Sequence, residues 1–538
     1  MKRTSRIAFL IFLIPVCLSA QIAPGKYFVA FADKNNNPFS ISNPSAYLSP
    51  RALNRRAIQN ISINSTDLPV TPSYVTTVAA QGATILNKTK WLNGVIIQTN
   101  DTNIVNAIRL LPFVSGIKSI PHHARNVSEI PRSKDKFENI TLTKNRSAVS
   151  TSSDYGGAWN QLSMLHGDFL HDAGFRGAGM LIAVLDAGFI KADSLAVFDS
   201  LRANNRIVAT RDFVDGDTMV YDHHWHGTSV LSCMAANLPG TMIGTAPDAS
   251  YILLRTEDAA TEFIIEEYNW ACGAEFADSA GADVFNSSLG YTTFDDSLYN
   301  HTYADMNGDS AIATQAADIA ASKGILVVNS AGNSGGNSWN FIGAPADADS
   351  ILAIGAVDSL GVYASFSSRG PSFDGRVKPD VCAQGSASFV AYTDGSFGPG
   401  SGTSFASPIM AGMAACLWQS CSSYSNMQIL RAIQISADHF LMPDTLYGYG
   451  IPDFSIACLI LNGNTNVRDD LIISLYPNPF TENCIINFYS SIRQSIHTEV
   501  FDILGKKVLD NYLWIPAIDK YQLVIDANEL PQKGMYVL

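Results

Sequence analysis

The sequence predicts an α/β domain with a doubly wound parallel sheet over residues 155–461. A small α+β unit (21–125) precedes it and a small all-β unit (471–538) follows. Three observations predict this. From residue 155 onward, short and continuously apolar runs alternate with segments of helical length, the pattern of parallel strands buried on both faces and joined by crossover helices. A chain of 538 residues, 47% of them hydrophobic, is long enough for about three domains and can bury a large core. Two polar stretches, 126–154 and 462–470, interrupt the pattern and read as linkers.

In chain order, residues 1–20 read as a secretory signal. Lys2, Arg3 and Arg6 precede an apolar run, 7–18, that is too short to span a bilayer, and cleavage is expected near Ala20 and Gln21. Residues 26–32 alternate like a strand. Residues 45–59 have helical spacing and carry Arg51, Arg55 and Arg56; 75–81 is a second helix, 91–99 a strand, 102–111 a helix and 114–121 a closing strand. The stretch 126–154, rich in Ser, Lys, Arg and Asn, is expected to be exposed and open to proteolysis. In the middle domain the expected strands are 180–185, 251–254, 283–287, 325–328, 351–357 and 381–383. The expected helices are 226–236, 262–278, 311–322 and 404–418. Sheets of this kind carry their sites at the carboxyl ends of strands, where Asp186, Ser288 and Asn333 fall. In the tail, 484–489, 498–501 and 521–525 read as short strands.

Charge is unevenly spread. Residues 21–150 hold 15 Lys/Arg against 6 Asp/Glu, whereas residues 151–460 hold 11 against 33. A basic first part beside an acidic middle implies complementary surfaces held together. The acidic middle also argues against a nucleic-acid partner. Of eight cysteines, Cys17 lies in the signal, and the remaining odd number leaves at least one thiol unpaired. The absence of a CxxC pair argues against a zinc knuckle.

Candidate chemistry starts at Gly402-Thr403-Ser404-Phe405-Ala406-Ser407-Pro408, which puts a serine at the start of a small-residue helix. A hydroxyl there meets backbone donors and a positive dipole end, which suits a developing oxyanion. Alone, the heptapeptide does not separate a nucleophile from a helix cap. Asp186 ends a buried strand and His226 heads a helix; singly, each is commonly structural. Together they are what acyl transfer by serine needs: a nucleophile, a base and a carboxylate to orient the base.

Ala183-Val184-Leu185-Asp186-Ala187-Gly188, His226-Gly227-Thr228-Ser229-Val230 and the Ser404 heptapeptide resemble the three active-site motifs of the subtilisin-like serine peptidases, in the family's order. Asn329-Ser330-Ala331-Gly332-Asn333-Ser334-Gly335 resembles the family's oxyanion-asparagine loop. Ser287-Ser288-Leu289-Gly290 resembles the strand that pairs with extended substrate. Ala187 stands where many members have Thr. The resemblance implies a serine endopeptidase acting on proteins or peptides, with Ser404 as nucleophile, His226 as base and Asp186 as its orienting carboxylate. It makes Asn333 an oxyanion donor and Ser288, Leu289, Gly290, Ala331 and Gly332 the substrate-binding residues. The alternative, from another class, is a catalytically inactive surface-binding protein that keeps the fold; the complete set Asp186, His226, Ser404 and Asn333 argues against it.

The chemistry requires no cofactor. Asp305, Asn307 and Asp309 alternate like calcium ligands but lack the Gly and the twelfth-position Glu of an EF-hand loop, so a surface turn is expected and structural calcium stays open. His223 and His224 crowd His226 without helical i, i+4 spacing, and are expected to be solvated loop residues rather than a metal cluster.

The strand–helix pattern of residues 21–125 resembles subtilase inhibitory propeptides. That implies a zymogen processed within 126–154 and an enzyme that takes its own propeptide as a partner. Leu475-Tyr476-Pro477-Asn478-Pro479-Phe480, Val500-Phe501-Asp502-Ile503-Leu504-Gly505-Lys506-Lys507-Val508 and Gly534-Met535-Tyr536-Val537 resemble the C-terminal sorting domain of the Bacteroidota type IX secretion system. This implies export by that machinery to the medium or the cell surface. Such domains run one strand further, with a basic finish, than Leu538 leaves here.

Overall fold

The computed structural model describes residues 25–121, 135–137, 141–142, 152, 154–462, 471–476, 480–490, 494–502, 506–515, 519–531, 534 and 536–537. The expected signal and nearly all of the connector 462–470 lie outside them.

The N-terminal unit is a four-stranded antiparallel sheet of β1 (Gly25–Phe31), β2 (Thr84–Thr89), β3 (Gly94–Gln98) and β4 (Val114–Pro121), in the order β2-β3-β1-β4. Strict alternation along β1 sends Tyr27, Val29 and Phe31 into a small core with Val95, Ile97 and residues of α2 (Pro72–Ala79) and α3 (Thr102–Arg109). Trp91, Ile96 and Ile120 instead join the large core of the middle domain, and the Phe28 ring stands 5.0 Å from that of Tyr268. Helix α1 (Pro50–Ile58), capped by the Ser49 hydroxyl, makes a second contact with that domain.

The middle domain holds a seven-stranded, wholly parallel sheet. Its strands are β6 (Leu181–Asp186), β7 (Ile207–Asp212), β8 (Ser250–Arg255), β9 (Val284–Ser287), β10 (Leu326–Ser330), β11 (Leu352–Val357) and β12 (Val381–Gln384), ordered β12-β11-β10-β9-β6-β8-β7. Helices α4 (His226–Ala235), α5 (Ile265–Ala280), α6 (Ile312–Ser322) and α7 (Thr403–Ser420) cover it. Strands β6, β9, β11 and β12 are buried at every residue, as a sheet covered on both faces requires. The chain passes from β8 on one side of β6 to β9 on the other, so the sheet's switch point lies beside the Asp186 end of β6.

The C-terminal region is all-β. β15 (Leu471–Tyr476), β16 (Asn483–Ser490) and β19 (Asp519–Asp526) form one sheet; β17 (Gln494–Asp502), β18 (Lys507–Ile515) and β20 (Tyr536–Val537) form another. Cys484, Ile486, Val500 and Ile525 are buried between neighbours in this region. The seven cysteines among the described residues are all buried. No helix among the described residues is long and apolar enough to cross a membrane.

The basic N-terminal unit and the acidic middle domain meet through ion pairs. Asp278, near the end of α5, accepts from Arg55 at 2.5 Å, from Arg56 at 2.8 Å and from Lys90 at 3.0 Å. Arg51 pairs with Asp283, and Lys323 pairs back to Asp67 at 3.1 Å. Burial disfavours the Asp278 carboxylate, yet Lys90, Arg55 and Arg56 outweigh it and hold the group at about 2, below its ordinary 3.8. The contribution of Asp278 to docking is therefore complete above about pH 4 and fades as pH falls towards 2. Replacing Asp278 by alanine removes the carboxylate that three cations share at a buried contact, leaving Arg56 its pair with Asp67. The intact chain is expected to lose about 3–5 kcal/mol in denaturant unfolding at neutral pH, and that deficit should shrink below about pH 4.

Candidate active site

Asp186 is the last residue of β6. Its Oδ1 accepts from Ala187 N–H at 2.7 Å and from His226 Nδ1 at 2.7 Å. His226 is the first residue of α4, and both side chains are fully buried. The close approach depends on Gly227, where a Cβ would stand 2.3 Å from the Gly188 carbonyl oxygen and 3.0 Å from Asp186 Cβ. Among the described residues, neither Asp186 Oδ2 nor His226 Nε2 has a hydrogen-bond partner.

Ser404 is the second residue of α7. Its Oγ faces the Ser288 carbonyl at 3.4 Å, so no Ser404–His226 hydrogen bond is made in this state. Such bonds commonly form only when substrate arrives. Pro408 lies past the first turn of α7. Lacking an N–H, it leaves the Ser404 carbonyl free of its i+4 helix bond, and Ser288 Oγ donates to that carbonyl at 2.8 Å. One turn on, Ser407 Oγ donates to Asn286 Oδ1 at 2.9 Å. Helix α7 is thus keyed to the end of β9 by two serine–strand contacts.

Asn333 lies on the loop after β10. Its Oδ1 accepts from Thr403 N–H and from Thr403 Oγ1, both at 2.9 Å, which fixes the amide and leaves Nδ2 free to donate. Gly332 has a φ of 108°, and its N–H donates to Thr403 Oγ1 at 3.3 Å. Ala331 is buried, its N–H donating to Ile354 O at 2.9 Å. Ser288, Leu289 and Gly290 follow β9, with the Leu289 carbonyl accepting from Asn329 Nδ2 at 3.1 Å; a Cβ on Gly290 would meet only Ala344 O, at 3.8 Å.

Part of the stretch 126–154 lies over these residues, against the expectation of a wholly exposed linker. Lys136 N–H donates to Ala259 O at 3.2 Å. The Phe137 ring is 6% exposed and stacks on His226 at 4.1 Å, while Asp135 Oδ2 is 2.8 Å from His224 Nε2. Further on, β5 (Thr141–Leu142) pairs antiparallel with β14 (Phe397–Ser401), just ahead of Ser404. Lys136 Nζ is enclosed by Glu257, Glu262 and Glu266 at 2.6, 3.2 and 2.9 Å.

The Subtilase family profile matches residues 177–450, half of the chain. The chain belongs to the subtilase family. It is 32% identical to "Subtilisin E" of Bacillus subtilis over 294 residues, covering 54% of this chain and 68% of that protein. It is 30% identical to "Subtilisin DY" of Bacillus licheniformis over 293 residues, 54% of this chain and 94% of that one. It is 27% identical to the "Thermostable alkaline protease" of Halalkalibacterium halodurans over 355 residues, 66% of this chain and 85% of that one. The profile "Peptidase S8 propeptide domain, Bacteroidota" matches residues 26–136, and "Secretion system C-terminal sorting domain" matches 474–538. This subtilase therefore carries a propeptide, and its C-terminal domain marks it for export to the medium or the cell surface.

Of the other residues raised by the sequence, His223 and His224 are not simply solvated. His224 is mostly buried against Asp135, and burial lowers its pKa. His223 Nε2 stands 3.4 Å from Asp212 and 3.3 Å from the Arg255 guanidinium. Asp305 Oδ2 accepts from the Thr302 N–H and hydroxyl, and Asn307 Oδ1 accepts from the Asp309 and Ser310 N–H groups, so these two side chains serve local turns. Thr403, Asn286, Ser407, Lys136, Phe137 and the three glutamates were not foreseen. Thr403 was within reach, since it adjoins Ser404. Phe137 had a signal too, as the single aromatic residue in 126–154.

Proposed function

We propose that this subtilase is a secreted serine endopeptidase made as a zymogen, entering the export route through its N-terminal signal and leaving by the type IX system. Ser404 Oγ attacks the scissile carbonyl while His226 Nε2 takes its proton; His226 then donates that proton to the leaving amine. Asp186 holds Nδ1–H and stabilises the imidazolium. The tetrahedral oxyanion is held by Asn333 Nδ2 and by the Ser404 N–H, one of the helix-end donors without an intrahelical partner. Water then hydrolyses the acyl-enzyme by the same path in reverse. Substrate adds as a strand beside Ser288, Leu289 and Gly290, with Ala259 on the opposite edge.

The observation that carries this reading is the course of the chain's own segment. Lys136 bonds the Ala259 edge, Phe137 covers His226, and Leu142 pairs with the strand that runs into Ser404. A peptide so threaded occupies the position of substrate, which supports self-processing between Phe137 and Leu142, inside the linker 126–154. Until released, the propeptide keeps the cleft filled. N-terminal sequencing of the secreted, active form is expected to begin within residues 138–142. Full activity in a chain that begins near Gln21 contradicts the zymogen reading.

A further inference from the structure

Three carboxylates around Lys136 have no part in the steps above. Glu257 stands two residues beyond β8, Glu262 lies on the following loop, and Glu266 is in the first turn of α5. Each points one oxygen at Lys136 Nζ. The two buried members are held from behind: the Tyr291 hydroxyl donates to Glu257 Oε1, and Asp258 N–H donates to Glu266 Oε1 at 3.0 Å. Burial raises Glu262 to about 7 and Glu266 well above its ordinary value, even with Lys136 opposing the shift. Glu262 Oε1 is buried without a partner. The fold therefore maintains an electrostatically costly cluster whose ion-pair partner, among the described residues, is Lys136 of the segment crossing the cleft.

We propose that Glu257, Glu262 and Glu266 form a specificity subsite that selects a lysine or arginine side chain on the acyl side of the scissile bond, with Lys136 as its occupant before processing. This rests on the peptidase reading. The register supports it. The Lys136 backbone is bonded to the Ala259 edge, two residues from Glu257, and the next residue covers the catalytic-base candidate His226. A substrate in the same register presents the corresponding side chain to the same three carboxylates. The cluster fits an extended cationic head that enters from the cleft, because the second oxygens of Glu257 and Glu266 are held by Tyr291 and Asp258.

The test uses the processed enzyme and two synthetic peptides spanning residues 135–143, one with the native sequence and one carrying Lys136→Gln. Charge-assisted hydrogen bonds of this kind lead us to expect about a tenfold or greater advantage in kcat/KM for the native peptide; Lys136→Arg is expected to retain most of it. In Glu262→Gln and Glu266→Gln enzymes the native-to-Gln ratio is expected to fall towards one. Glu262 lies on a partly exposed loop, which makes it the milder change. Equal kcat/KM for both peptides with the wild-type enzyme overturns the subsite while leaving the peptidase reading intact. Failure to cleave either peptide, with Ser404 unreactive to a fluorophosphonate, overturns the peptidase reading and the subsite with it.

Discussion

Ser404→Ala is expected to lower kcat on a peptide substrate by about a million-fold and to leave the propeptide joined to the rest of the chain. The size follows from how the group works. In the proposed mechanism His226 and Asp186 only activate and steady the nucleophile, so without Ser404 Oγ they have nothing to act on, and what remains is oxyanion stabilisation and binding. The substitution removes one oxygen from a buried site whose other contacts are backbone. Ser288 Oγ still donates to the residue 404 carbonyl, so folding should be preserved. Gel mobility and steady-state kinetics read both effects: an uncut chain of about full length and a kcat about a million-fold down. Processing of Ser404→Ala at the wild-type rate when expressed alone in a host without related peptidases runs against the account.

Asn333→Ala is expected to cost about 100- to 1,000-fold in kcat with little change in KM. The amide is aimed by two bonds from Thr403 to its Oδ1, so Nδ2 is held ready before charge develops. A donor of this type acts on the tetrahedral oxygen and only weakly on the ground-state carbonyl, and so its loss falls on kcat. Processing should slow by a similar factor without stopping. A variant in which KM rises and kcat holds would make Asn333 a substrate-binding residue instead.

The fold was legible where burial made it so. The β6 and β11 runs are apolar at nearly every position because both faces are covered, and the expected bounds of β6, β9 and β11 lie within a few residues of the observed ones. Strand β2 was missed because Asn87 and Lys88 sit in it. Asn87 is polar yet buried, its Nδ2 donating to Phe213 O and to Asn269 of the middle domain, so the partner that makes it a strand residue is far away in sequence. The edge strand β7 was missed for the opposite reason: it is partly exposed along its length and lacks a continuous apolar run. Trp91 was assigned to a strand but stands in the turn before β3, where Glu275 accepts from the Lys90 and Trp91 N–H groups.

The site divides in the same way. Asp186, His226, Ser404 and Asn333 each lie in a local motif, so short-range sequence suffices to nominate them. Lys136 and the glutamates gain meaning only by meeting one another across 121 to 130 residues. Within 126–154 the polar composition concealed that Phe137 is buried, because its cover is the cleft at His226 and not its own neighbours.

The most direct test of the central claim is fluorophosphonate labelling of the processed protein, followed by peptide mapping. The account predicts one stoichiometric adduct, on Ser404, in step with loss of peptidase activity, and none when His226 is replaced by alanine. An active processed protein that takes no label, or takes it on another serine, would contradict it.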